Sequence, residues 1–223
     1  MNIWVKNSSK NLLPLSEEKE DFKIALKEWI FTGEIVDHET PIETCELCEK
    51  DELRYHFEIK NQLDNSLWVG SKCIEKFDIT IFDEHGNEIT ENKDQYLQKQ
   101  ARKKHIKLVF ENLDKTDGKG KTNDRNNKEL DIYCIDRYNL EGKLDPKMLN
   151  YLFKRLDDEN IFYDKRFFAI SLKKEENKVK LLNLNGEQFE RIKKALSLTQ
   201  RKYYENNKNK YTATNMGLAK VGL

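Results

Sequence analysis

Proline is scarce in this sequence, three residues in 223, and glycine numbers only nine. So few turn-formers argue against an all-β sandwich and for a substantial helical share. Long apolar runs are also missing. No stretch approaches the roughly 20 residues that cross a bilayer, and Met1-Asn2-Ile3-Trp4-Val5 lacks the charged and apolar regions of a signal peptide. The expectation is a cytoplasmic protein without membrane association. There are four cysteines; in a reducing compartment, two spaced Cys-x2-Cys point to metal or redox chemistry before a disulfide. Net charge is absent too, with 40 Lys/Arg against 40 Asp/Glu.

That balance hides an asymmetry. Residues 1–98 hold 11 Lys/Arg and 22 Asp/Glu, and residues 99–223 hold 29 and 18. The acidic half repels polyanions and the basic half attracts them, so a nucleic-acid partner is expected to meet the C-terminal half. The plainer alternative is that the two halves attract each other. Hydrophobic residues are 37% of the chain and charged residues 36%, yet eleven Phe, nine Tyr and three Trp supply core material. A chain of this length buries roughly 70% of its unfolded surface.

The local patterns predict an α+β chain. Ser16 as cap, Glu17 and Glu18 in a first turn, and Phe22, Leu26, Trp29 and Ile30 at helical spacing suggest an amphipathic helix over 17–31. Alternation from Leu53 to Lys60 and the return at Leu67-Trp68-Val69 predict a β-hairpin. A short helix at 73–77, capped by Ser71, follows, then a second small hairpin turning over Asp83–Asn87. Residues 93–113 read as a long basic helix, and 114–128, which hold no hydrophobic side chain, as a flexible linker. Asp145-Pro146 opens a helix with Leu149, Leu152, Phe153 and Leu156 on one face. Residues 161–184 are ambiguous, 188–204 helical, and 206–223 a basic, frayed tail. The expected organisation is a module over 1–92, a connecting helix over 93–113, the linker, a helical unit over 129–205 and the tail over 206–223.

Cys45-Glu46-Leu47-Cys48 can present two sulfurs to one ion, and Cys73 sits where the first turn of a following helix would add a third. Knuckle, hairpin, Gly-x-x-Cys and helix together form the layout of a treble-clef zinc module. Such modules take a fourth ligand about three positions after the third, which here is Lys76. His56 is the nearest replacement, with Cys134, His38 and His85 as further candidates. The expected site is structural Zn2+ on Cys45, Cys48, His56 and Cys73. A thioredoxin-like redox pair would need a βαβ setting that this region lacks. A catalytic zinc is the alternative if His56 is not a ligand; His56-Phe57-Glu58 superficially matches the deaminase His-x-Glu, but there the cysteine pair follows and carries a Pro.

The stretches Thr44-Cys-Glu-Leu-Cys-Glu-Lys-Asp-Glu-Leu-Arg-Tyr-His-Phe-Glu-Ile-Lys-Asn and Leu67-Trp-Val-Gly-Ser-Lys-Cys-Ile-Glu-Lys-Phe resemble a group of bacterial and phage or prophage zinc-finger proteins. The likeness covers roughly residues 15–80. It implies a zinc role for Cys45, Cys48, His56 and Cys73 and carries no settled activity.

Three functions follow as expectations. The first is nucleic-acid binding without catalysis, by the basic helix, where Arg102, Lys103, Lys104 and Lys107 are densest, with Tyr203 and Tyr204 as candidate stacking rings. A solvated helix face is the plain reading of such a charge run. The second is a protein-interaction module, such as a phage inhibitor presenting its acidic N-terminal surface to a host protein. The third is a metal-dependent nuclease using Asp83, His85 and Asn87, where Gly86 favours a simple turn. No Ser/His/Asp set, phosphate-cradling loop or small-molecule site stands out, so the balance leans against an enzyme.

Overall fold

The first element is one that the spacing of apolar residues does not predict. In the computed structural model, which describes residues 2–116 and 126–221, α1 (Ile3–Leu12) is capped by Asn2, and its Trp4 ring stacks on Phe77 at 4.2 Å. The helix expected over 17–31 does not form. Ser16 is buried, donating to the Leu12 carbonyl and accepting the Trp29 indole N–H. The Glu28 carboxylate accepts from the amides of Glu17 and Glu18, at 2.6 and 2.8 Å, and folds that segment into a turn. Asp21 is the cap instead, and the helix it opens, α2 (Phe22–Ala25), lasts one turn before a 3₁₀ turn leads into a strand.

That strand, β1 (Ile30–Asp37), pairs antiparallel with β2 (Tyr55–Lys60), and β2 pairs antiparallel with β3 (Ser66–Val69). The β2–β3 pair is the predicted hairpin. α3 (Ser71–Lys76) follows with Gly70, not Ser71, in the cap position. β4 (Thr80–Ile81) then lies parallel to β1, completing the order β3-β2-β1-β4. The second expected hairpin shrinks to one antiparallel bridge, Phe82 to Glu88. β1 is bulged between Phe31 and Ile35, where Gly33 takes φ 92°, a backbone conformation that favours glycine.

α4 (Lys93–Asp114) is the predicted basic helix. The chain divides into two compact units inside it, Met1–His105 and Ile106–Leu223. In the first unit Trp29, Ile59, Ile74, Ile79, Ile81 and Leu97 are fully enclosed. Asp37, at the end of β1, ties this unit together: Arg54 grips its carboxylate with two bonds of 2.8 and 3.0 Å, and His105 Nδ1 lies 2.7 Å from it. The Asp37 and His105 side chains are 1% and 3% exposed.

The second unit is helical. α5 (Asn126–Glu141) packs with α6 (Pro146–Asp158), capped as expected by Asp145. Between them Arg155 meets Asp131 at 3.1 Å with both side chains almost fully enclosed, and Tyr151 donates to the same carboxylate. Phe168 is surrounded by Phe110, Tyr138, Phe153 and Tyr163, mostly edge to face. The ambiguous segment is largely irregular, closing with a parallel bridge of Leu144 to Ile170 before α7 (Glu175–Leu182). The helix expected over 188–204 is two, α8 (Gly186–Ile192) and α9 (Leu198–Val221), because a 3₁₀ turn and an extended Leu196 interrupt it. α9 continues through residues expected to fray. Most of the proposed linker, residues 117–125, lies outside the described residues.

Burial alone would raise the Asp37 carboxyl, but the bonds from His105 and Arg54 outweigh it and hold the group well below the usual carboxylate range. Its contribution is therefore fully present above the unfolded value, about 3.9, and is lost as pH falls toward the folded one. Asp37→Asn should cost about 3 kcal/mol at neutral pH, since it removes the buried negative charge that Arg54 and His105 bond. Urea unfolding at pH 7 and pH 3 checks this, and the deficit of the variant should shrink at the lower pH.

Candidate metal centre

Three sulfurs converge in the first unit. The Sγ atoms of Cys45, Cys48 and Cys73 all lie within 4.8 Å of one another, and Cys45 and Cys73 are 3.6 Å apart. All three cysteines are buried and none is in a disulfide. They are close enough to hold a metal ion. Tetrahedral thiolate coordination with metal–sulfur bonds of about 2.3 Å places sulfurs about 3.8 Å apart, so the donor set fits such an ion in spacing and chemistry.

The knuckle is built by its backbone. Cys45 N donates to the Lys50 carbonyl, and Glu49 N donates back to that of Cys45, each at 2.9 Å. Glu49 and Glu52 take positive φ to close the turn. Leu47 is fully enclosed, and Asn11 of α1 donates to its carbonyl at 3.1 Å. Glu46 is held to the outer side of β3, its amide donating to the Trp68 carbonyl and its carboxylate accepting from the Trp68 amide. α3 delivers Cys73, and a Cβ on Gly70 just before it would press against Leu53 at 3.2 Å.

Charge explains why the cluster suits a cation. The hydrogen bond from Cys73 pulls the Cys45 thiol down to about 5 despite its burial, helped by the backbone N–H groups of Cys48, Gly70 and Leu47. The same hydrogen bond, burial and the neighbouring sulfurs push the Cys73 thiol far up. Without a cation the group thus carries one thiolate beside a thiol that resists ionisation. A bound divalent ion removes that conflict and favours further thiolates.

The remaining predicted ligands are elsewhere. His56 is buried beside the knuckle, but it does not belong to the group of mutually close donors; its Nε2 faces the Thr44 carbonyl at 3.1 Å. His38 packs edge-on against His56 with ring centroids 5.0 Å apart, and its Nε2 is enclosed without a hydrogen-bond partner among the described residues. Lys76 is turned away, its ammonium 3.7 Å from the Trp4 ring. Cys134 belongs to the second unit, where burial pushes its thiol up to about 12. His85 is exposed, and Asp83 is spent on the turn, accepting from the amides of His85 and Asn87.

Of the basic residues, Lys103 and Lys107 are exposed on one face of α4, and Arg102 and Lys104 are half-buried. Lys107 pairs with Glu111 at 3.8 Å. Tyr204 is not available for stacking, because its ring lies against Phe189 at 3.7 Å inside the second core. Asp37, Arg54 and His105 escaped the sequence reading, although a histidine in the apolar stripe of Leu97, Ala101 and Val109 was a signal for a buried partner.

No family model, curated protein or solved structure matches this chain. Among the described residues no helix is long and apolar enough to cross a membrane.

Cys45→Ser, Cys48→Ser and Cys73→Ser should each abolish bound metal. His56→Ala should retain it with weakened affinity, since the histidine steadies the Thr44 carbonyl beside Cys45. Elemental analysis of protein purified without chelator reads both outcomes.

Proposed function

We propose that this chain is a zinc-stabilised nucleic-acid-binding protein without catalysis of its own, in which a treble-clef-like module supplies rigidity and the basic C-terminal half supplies phosphate contacts. The three buried, mutually close thiols carry the metal part of this reading. Zinc is the ion because thiolates in a tetrahedral array suit it, and because a site so enclosed is suited to structure more than to turnover. The ion would contribute on the order of 10 kcal/mol to folding of the first unit.

Nucleic acid is the partner favoured by charge. Residues 99–223 hold 29 Lys/Arg against 18 Asp/Glu, and Lys103 and Lys104 on α4 have no carboxylate partner among the described residues. The acidic residues 1–98 keep a polyanion off the zinc module, so the ion acts as scaffold and does not touch phosphate.

Fluorescence anisotropy with single-stranded DNA, duplex DNA and RNA tests the reading. Affinity should fall steeply with salt, and Lys104→Gln with Lys107→Gln should lower the duplex salt slope by about two. A flat salt response overturns nucleic-acid binding. Stoichiometric zinc together with capture of a defined host protein through the acidic surface would favour the interaction module instead.

A further inference from the structure

Beside the bulge in β1 the first unit opens a cleft of about 450 Å3, a size common to small-ligand sites. The bulge makes the room: a Cβ built on Gly33 meets nothing within 4 Å. Phe31, Phe82 and Tyr96 border the space, and the last two are the more accessible. Phe82 is 44% exposed, a large ring kept out of the core cluster, and Tyr96 of α4 reaches across so that its hydroxyl lies 3.5 Å from the Phe82 carbonyl.

The first unit holds both paired and unpaired cations. Lys10, Lys60, Lys72 and Lys93 each pair with a carboxylate, as expected where acids are in excess. Lys99 and Lys103, one helical turn apart on the wall of the cleft, have no carboxylate partner among the described residues. The acidic groups opposite do not satisfy them. Asp83 is engaged by its own turn, and Glu84 lies 3.9 Å from His85 with its side chain 77% exposed.

The exposed Phe82 ring, the Tyr96 ring and two unpaired ammonium groups along one open cleft match a flat heteroaromatic base joined to a phosphate. The two lysines offset Asp83 and Glu84, which line the same cleft, and supply ammonium donors for a single phosphate, while the acid excess of the surrounding unit disfavours a long polyanion there. We propose that this cleft binds one nucleoside 5′-monophosphate, its base against Phe82 and Tyr96 and its phosphate on Lys99 and Lys103. The site shares Lys103 with the basic face described above but does not rest on it.

The test is calorimetric titration of the full zinc-loaded chain at low salt with adenosine 5′-monophosphate, adenosine and inorganic phosphate. Adenosine 5′-monophosphate should bind saturably at one site, with adenosine and phosphate each at least about tenfold weaker. Phe82→Ala, and separately Lys99→Gln with Lys103→Gln, should weaken it by about tenfold or more. These side chains are exposed, so circular dichroism should be unchanged. Lys104→Gln with Lys107→Gln, which alters the salt slope for polynucleotides, should leave nucleotide affinity as it was. Short oligonucleotides separate the two sources of this chemistry. Preference for a 5′-phosphorylated over a 5′-hydroxyl end, competed by the mononucleotide, identifies a strand terminus, and mononucleotide binding without that preference identifies a free nucleotide. Absence of saturable mononucleotide binding, or binding indifferent to the Phe82 and lysine variants, overturns the proposal.

Discussion

The carboxylate of Asp37 is the constraint on which the first unit turns. It ends β1, takes a two-pronged grip from Arg54 just before β2, and receives His105 from α4. The chain between Asp37 and Arg54 is therefore a closed loop, pinned at its base by side chains and by the His38 amide on the Arg54 carbonyl at 2.9 Å. Cys45 and Cys48 lie inside that loop. The same carboxylate that closes it also fixes the helix bearing the basic face, so the knuckle and the helix share one electrostatic anchor. A buried charge with one partner is costly, whereas one held by Arg54, His105 and the Glu39 amide is a rigid joint.

The cysteine cluster follows a complementary logic. Three sulfurs held this close by turns and by α3 create a site in which successive ionisations oppose each other, as the opposite displacement of Cys45 and Cys73 shows. Such an arrangement is stable as a set of thiols only at the expense of ion binding, and it suits a soft divalent cation. His56 lies outside the group of close donors. Its ring is occupied with the Thr44 carbonyl, one residue before the first sulfur, which makes it a support for the knuckle.

What spacing and alternation revealed was local. The β2–β3 hairpin, the helix opened by Asp145-Pro146 and the long helix from Lys93 were readable because each is specified by neighbours a few residues apart, and the convergence of Cys73 with Cys45 and Cys48, 28 residues from the first, was readable from the chemistry of the residue type. The failures have long-range causes. Ser16 looked like a cap but is claimed by Trp29, and Glu28 captures the amides that a helix at Glu17 would have left open. α1 went unnoticed because its tertiary contacts, Trp4 on Phe77 and Asn11 on Leu47, are what hold it. The cleft beside Gly33 was invisible for the same reason, being made from β1, the Phe82 turn and α4 together.

Glu46 gives the knuckle a second consequence. By bonding to both backbone groups of Trp68 it occupies the outward-facing side of β3, the strand that ends the sheet. An uncovered sheet edge is a template on which other chains add strands. The cysteine knuckle thus covers part of that edge as well as holding the sulfurs. Loosening the knuckle would bare the backbone of Trp68 on that edge.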